Sequence, residues 1–283
     1  MQRFYPFLFV FLWSTGFIGA KYGLPYAEPL SFLLSRYGAV ITLMTVIALA
    51  TRAPWPRKPR DWLHISISGV LVHAVYLGGV FVAIKHGLPA GVTALVVGMQ
   101  PLLTALGAGW LLGEKVTGRQ WAGLGLGFVG VGMVVSGKLG EAALGPMLIP
   151  ALVALLGITA GTLYQKRFCP KFDLRTGSVI QFVPTAIITA ITVAVFEDYR
   201  IEWNGHFLFA LGWLVLVLSI GAISLLNLLI RSGSAVNVAS LFYLTPPMTA
   251  LIAFFIFGES LTLTAALGMV VAVSGVYLVA RTK

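Results

Sequence analysis

The 283-residue chain is 58% hydrophobic and only 10% charged, with a mean hydropathy of +0.94, which lies outside the range of soluble globular domains and excludes an extramembrane enzyme. A formal charge of +10 would suggest nucleic acid in a soluble protein, but these basic residues follow membrane topology, so no nucleic-acid partner is expected. One cysteine, Cys169, and four histidines exclude an intramolecular disulfide and leave no convincing metal site.

Apolar runs long enough to cross roughly 30 Å of hydrocarbon recur along the whole chain. They predict ten spans, near 4–20, 30–50, 62–84, 89–112, 119–136, 145–166, 176–196, 206–230, 235–257 and 262–280. The expected fold class is an all-α polytopic membrane protein. The first run follows Arg3 and ends in Gly19-Ala20, as a signal peptide does, but its counterpart near 149–166 makes it span 1. Trp13, Phe17 and Lys21 share one face of that span, with Ser14 beside them.

Span 2 carries Arg36, the one formal charge clearly at membrane depth; placing it there costs about 2.5–3.5 kcal/mol on insertion scales. No acid lies at that depth, so carbonyls, lipid phosphate or water must serve it. Loop 51–61, with three prolines and four basic residues, joins spans 2 and 3. Span 3 holds His73 and Tyr76, three apart, before Gly78-Gly79; span 4 holds Thr93, Gln100 and Thr104 around Pro101. The tight turn Leu112-Gly113-Glu114-Lys115 suits a glycine closing a helix in the left-handed conformation. Thr117 and Gln120 then form a capping box for span 5.

Span 5 is laced with Gly123, Gly125, Gly127, Gly130 and Gly132. Small residues let helix backbones approach closely in lipid, and packing within the bundle outweighs a dimer face as the reading. Span 6 offers Thr159, Thr162 and Tyr164, followed by the basic loop 167–175 that contains Cys169. Span 8 has Ser224, Asn227 and Arg231 on one stripe, and span 9 has Asn237, Ser240 and Tyr243 leading into Pro246-Pro247. A second tight turn, Phe257-Gly258-Glu259-Ser260, precedes Thr262 as a cap; span 10 carries Gly268, Ala272 and Gly275.

The chain repeats itself at an offset of 145 residues. Ala90–Val135 aligns without a gap on Ala235–Ala280, with fourteen identities in forty-six positions. Pro101 falls on Pro246, Gly113-Glu114 on Gly258-Glu259, Gly123 on Gly268 and Gly130 on Gly275, while Gly16 and Lys21 map to Gly161 and Lys166. Two units, 1–138 and 146–283, follow. With five spans each, the second is upside down relative to the first, which is an architecture of secondary transporters with the substrate site near mid-membrane. With the N-terminus inside, fourteen basic residues fall on the cytoplasmic side and four on the other, so both termini are expected in the cytoplasm.

Polar groups at membrane depth face an interior or a water-filled path. They predict a cavity lined by spans 1, 3, 4, 6, 8 and 9, with spans 5 and 10 as braces. The candidate substrate contacts are Trp13, Ser14, His73, Tyr76, Gln100, Tyr164, Ser224, Asn227, Ser240 and Tyr243, with Pro101, Pro246 and Pro247 as helix kinks. Each has a plainer reading. Gln100 serves equally as an interhelical hydrogen bond, the prolines as packing kinks, and His73 more readily as a structural group than as a proton carrier. Every Asp and Glu lies in a loop, whereas ion-driven carriers commonly place an acid in the bundle. Facilitated movement down a gradient is therefore expected.

Trp13-Ser14-x-x-Phe17 with Lys21, Ser35-Arg36, the Gln100-Pro101-Leu-Leu-Thr104 kink, Gly113-Glu114 and the glycine-laced span 5 together resemble the drug/metabolite transporter superfamily. Thr245-Pro246, Gly258-Glu259 and Gly268 resemble its second half. The chain looks most like the EamA-type ten-span bacterial exporters, particularly inner-membrane exporters of aromatic and other apolar amino acids. The resemblance implies alternating access in the cytoplasmic membrane, a small-molecule substrate, lipid as surroundings, no cofactor, and a monomer or weak homodimer. A carrier of a nucleotide-sugar, nucleobase or quaternary ammonium compound, and a non-transporting receptor or channel, stay open as alternatives.

Overall fold

A computed structural model of the chain describes residues 4–88, 90–139, 146, 148–169, 171–257 and 261–281. Gly258 and Glu259 of the second turn, and the side chain of Lys21, lie outside the described residues. Ten helical segments run in sequence, named α1 to α10 (Tyr5–Gly23, Pro29–Ala50, Pro59–Lys85, Ala90–Leu112, Gly118–Leu139, Leu148–Phe168, Leu174–Phe196, Gly205–Ser232, Ala235–Phe257 and Leu263–Ala280). Among the described residues, nine are long and apolar enough to cross a membrane. The tenth, α5, has the length, and its glycines and flanking polar residues dilute its hydropathy.

Prolines start several helices where a missing N–H costs nothing: Pro6 in α1, Pro29 in α2 and Pro59 in α3. Large apolar side chains face outward along the bundle, with Trp110, Leu263 and Phe196 all more than three-quarters exposed. In a soluble protein such a surface would aggregate; here it meets lipid.

The irregular stretches also repeat. α3 widens into a π-helical stretch over Val70–Leu77, and α8 does so over Leu214–Ala222. α4 is broken between Val97 and Gln100, and α9 passes through a tighter 3₁₀ stretch at Leu241–Leu244. In both, the break lies just ahead of a proline, Pro101 or Pro246, which has no backbone N–H to donate to the preceding turn's carbonyl. α5 and α10 pair antiparallel: a Cβ on Gly123 would stand 2.7 Å from the Gly275 carbonyl, and one on Gly268 would stand 2.7 Å from the Gly130 carbonyl. These two contacts exchange under the 145-residue offset, as a two-fold axis relating inverted repeats requires. Gly125 and Gly132 meet nothing within 4 Å, so the buried side of the run belongs to the bundle.

Loop contacts sort into two faces. On one, Glu197 accepts the Leu30 and Ser31 backbone N–H groups at 2.8 Å each, capping α2, and Lys85 donates to the Leu24 and Ala27 carbonyls at 3.2 Å. On the other, both Glu114 carboxylate oxygens accept the Ala235 N–H at 3.1 Å, capping α9, and His64 Nδ1 pairs with the Tyr164 hydroxyl at 2.6 Å. Each repeat thus supplies a carboxylate that satisfies helix-start donors in the other.

The expected caps are in place. Thr117 N donates to Gln120 Oε1 (3.0 Å) and Gln120 N to Thr117 Oγ1 (3.3 Å), and Thr262 Oγ1 accepts from Ala265 N (3.1 Å). Cys169, 5% exposed, packs with Ile65, Phe172 and Ile180; burial pushes its thiol up to about 11, so it labels slowly at neutral pH. Beside it, Asp173 starts α7, accepting Arg175 N at 2.9 Å, and its pairing with the Arg175 side chain lowers the carboxyl's pKa.

Gly113 closes α4 at φ +68° with open space around its Cβ position. The barrier to a side chain there is purely conformational. Gly113→Val should lower thermal stability by about 1–2 kcal/mol while leaving substrate affinity unchanged. Thermal unfolding in detergent together with ligand titration checks this; unchanged melting with altered affinity would contradict it.

Candidate functional site

A cavity of about 40 Å³ lies inside the bundle, lined by Trp13, Gly16, Phe17 and Ala20 of α1, Arg36 of α2, Tyr76, Leu77, Val80 and Phe81 of α3, and Leu214, Leu218 and Ile223 of α8. A smaller recess of about 10 Å³ shares Trp13, Phe17 and Tyr76 and adds Ala94, Val97 and Gly98 at the α4 break, with Phe242, Thr245 and Pro246 at the α9 kink. Both irregular helices therefore open onto the same place. The space holds a few waters, so a metabolite needs the helices to part.

Trp13 and Tyr76 stack with ring centroids 6.2 Å apart and planes 10° from parallel. Phe242 stands edge-on to Trp13 at 5.3 Å, and Phe9 touches both rings, at 5.2 and 5.4 Å. This aromatic layer closes the cavity toward the face that carries Glu114. Ser14 Oγ shares its one proton between the Val10 carbonyl at 2.7 Å and the Thr245 carbonyl at 3.2 Å, tying α1 to α9 beside the proline kink.

Arg36 is 3% exposed. Its Nε donates to Ser219 Oγ at 3.0 Å, and that hydroxyl in turn donates to the Leu214 carbonyl at 3.2 Å. Among the described residues no carboxylate pairs with it. Walls of aromatic and aliphatic groups around one cation have the chemistry that suits an amphipathic molecule.

Of the sequence candidates, Trp13, Tyr76 and Pro246 line this space, and Ser14 braces its edge. The others go elsewhere. His73 stacks on Phe182 of α7 at 4.2 Å, with both ring nitrogens unpartnered among the described residues. Gln100 Nε2 donates to Thr162 Oγ1 of α6 at 3.3 Å, leaving its Oε1 unpaired. Tyr164 sits at the Glu114 face with His64, and Asn227 Oδ1 accepts from Gln165 Nε2 at 2.7 Å. Ser240 donates to the Asn237 carbonyl in its own helix, and a Cβ on Gly127 would collide with the Tyr243 ring. Ser224 is half-buried on α8, and Pro101 and Pro247 are buried without lining the cavity.

Arg36, absent from the sequence candidates, also lines this space, and its unpaired charge is the signal in the sequence that points to it. The lining helices are α1, α2, α3, α4, α8 and α9, so α2 takes the place expected for α6. The reason is steric: Gly157 and Gly161 set α6 against the backbone of α3 at Leu71, Val72 and Tyr76, on the side away from the cavity.

A two-repeat bundle of apolar helices, nine of them long enough to cross a membrane among the described residues, around an internal cavity defines a membrane carrier as the class of protein. The EamA-like transporter family matches twice, over residues 4–136 and 145–281. The chain is 27% identical to the uncharacterized inner membrane transporter YedA of Escherichia coli, over 98% of this chain and 90% of that one. It is 27% identical to the uncharacterized transporter YvbV of Bacillus subtilis (95% and 88% covered), and 26% to a probable amino-acid metabolite efflux pump of Salmonella typhimurium (97% and 93%). A solved crystal structure superposes with a TM-score of 0.79 at 20% identity, covering 98% of this chain and 95% of that one, which establishes the shared fold. The chain belongs to the EamA-like transporter family, within the drug/metabolite transporter superfamily.

Proposed function

We propose that this transporter exports small metabolites, foremost amino acids with aromatic or other apolar side chains, across the bacterial inner membrane. Units 1–138 and 146–283 exchange shapes around the central cavity in alternating access, with both termini in the cytoplasm and no obligatory ion coupling. The protein works in lipid as a monomer or weak homodimer. The observation that carries this reading is the cavity itself, an aromatic and aliphatic enclosure formed by helices of both repeats, with no acid lining it among the described residues. A relative of similar length bearing the name of a probable amino-acid metabolite efflux pump supports the substrate class.

The test is counterflow into proteoliposomes across the twenty amino acids, with a nucleobase and a quaternary ammonium compound as controls. Exchange of aromatic or branched amino acids is expected, falling about tenfold or more in Trp13→Ala and Tyr76→Ala, which remove the stacked wall. Exchange of the controls alone would sink the amino-acid reading. Gln100→Ala separates packing from contact: if exchange persists at the wild-type level, Gln100 serves only the α4–α6 interface.

A further inference from the structure

A guanidinium buried at membrane depth is tolerated when something completes its hydrogen bonding. Ser219 occupies the Nε of Arg36, and the Leu214 carbonyl takes the Ser219 proton, so that hydroxyl presents its lone pairs to the arginine. This hydrogen bond holds the guanidinium beside the cavity that Arg36 lines, and its terminal nitrogens have no acceptor among the described residues. The planar fork of arginine matches a carboxylate through two parallel hydrogen bonds. The remaining walls, Trp13, Phe17, Tyr76, Phe81 and Leu218, suit an apolar tail.

Among the described residues the cavity has no counter-charge for an ammonium group. With a zwitterionic amino acid inside, the closed site carries a net positive charge. With a monocarboxylate it is neutral, and charge in an apolar enclosure is costly. We infer that Arg36 anchors the substrate's carboxylate, and that apolar monocarboxylates lacking an amino group occupy this site at least as well as the matching amino acids. The inference deepens the export reading above and rests on it.

Three probes of one shape decide it: L-phenylalanine, 3-phenylpropionate and phenethylamine, tested on the full-length protein by thermal stabilisation in detergent and by competition in counterflow. At equal concentration 3-phenylpropionate should stabilise and compete at least as strongly as phenylalanine, with phenethylamine doing neither. Arg36→Gln should weaken both carboxylates about tenfold or more, the loss of a charged hydrogen-bonding partner, and Arg36→Lys should weaken them less. If Arg36→Gln does not fold, the wild-type probe ranking and Arg36→Lys still decide. Phenethylamine binding as well as phenylalanine, or full carboxylate affinity in a folded Arg36→Gln protein, overturns the role of Arg36 while leaving amino-acid export standing. Failure of all three probes, together with exchange of the nucleobase or quaternary ammonium control, overturns both.

Discussion

Gly130→Leu is expected to abolish the folded carrier, whereas Gly132→Leu, two residues along the same helix, leaves it intact. A Cβ on Gly130 would stand 2.3 Å from the Ala272 nitrogen and 2.8 Å from its Cα, and one on Gly275 would stand 2.4 Å from the Gly127 nitrogen. These neighbours are backbone, so no rotamer change relieves the clash and α5 must leave α10. Overpacking into yielding side chains costs about 1–3 kcal/mol; separating two backbones in contact costs more. Gly132 has nothing within 4 Å, and replacing a helical glycine there removes a penalty of roughly 0.8–1.0 kcal/mol. Size-exclusion profiles of heated, detergent-solubilised protein measure both. Similar melting of the two variants would refute the close α5–α10 contact.

The second large effect concerns energetics. A zwitterionic amino acid should equilibrate across proteoliposomes with no ion gradient, and an imposed pH or sodium gradient should leave its final distribution even. The carboxylates of the described residues all lie at helix ends or loops, and His73, the one histidine deep in a span, faces Phe182 rather than the cavity. Among the described residues its buried ring nitrogens have no hydrogen-bond partner, so His73→Gln should leave the end-point unchanged. Accumulation above equilibrium driven by either gradient would end the facilitator reading, and its loss in His73→Gln would make His73 the coupling group.

Much of the fold was legible because membrane solvent imposes strong local rules. Apolar runs located the spans, the Thr117/Gln120 pair announced a cap, and Gly113 announced a left-handed helix end. The repeat marked the proline breaks in α4 and α9. The cavity was less legible. A polar residue in a span reveals that it avoids lipid, without revealing which neighbour it meets, and so Gln100 and Asn227 join α6 rather than the cavity.

The wider turns of α3 added a second obstacle. His73 and Tyr76 are three apart, which on an α-helix places them on one face. Between Val70 and Leu77 the hydrogen bonds run i→i+5, and the pair diverges: Tyr76 stacks on Trp13 and His73 on Phe182. Nothing in the local composition marks where a helix will widen. Arg36 shows the reverse case, in which a residue conspicuous in the sequence gained its meaning only when Ser219 and the cavity appeared beside it.

The glycine contacts between α5 and α10 map onto themselves when the two repeats are interchanged. If transport proceeds by each repeat adopting the other's shape, contacts elsewhere between the repeats must be traded for their counterparts, while this seam is the same in both conformations. On that mechanism it would serve as a fixed axle about which the remaining helices rock. Damage to it weighs on both conformations equally, so a mild defect there lowers the amount of working protein without changing the side to which the cavity prefers to open.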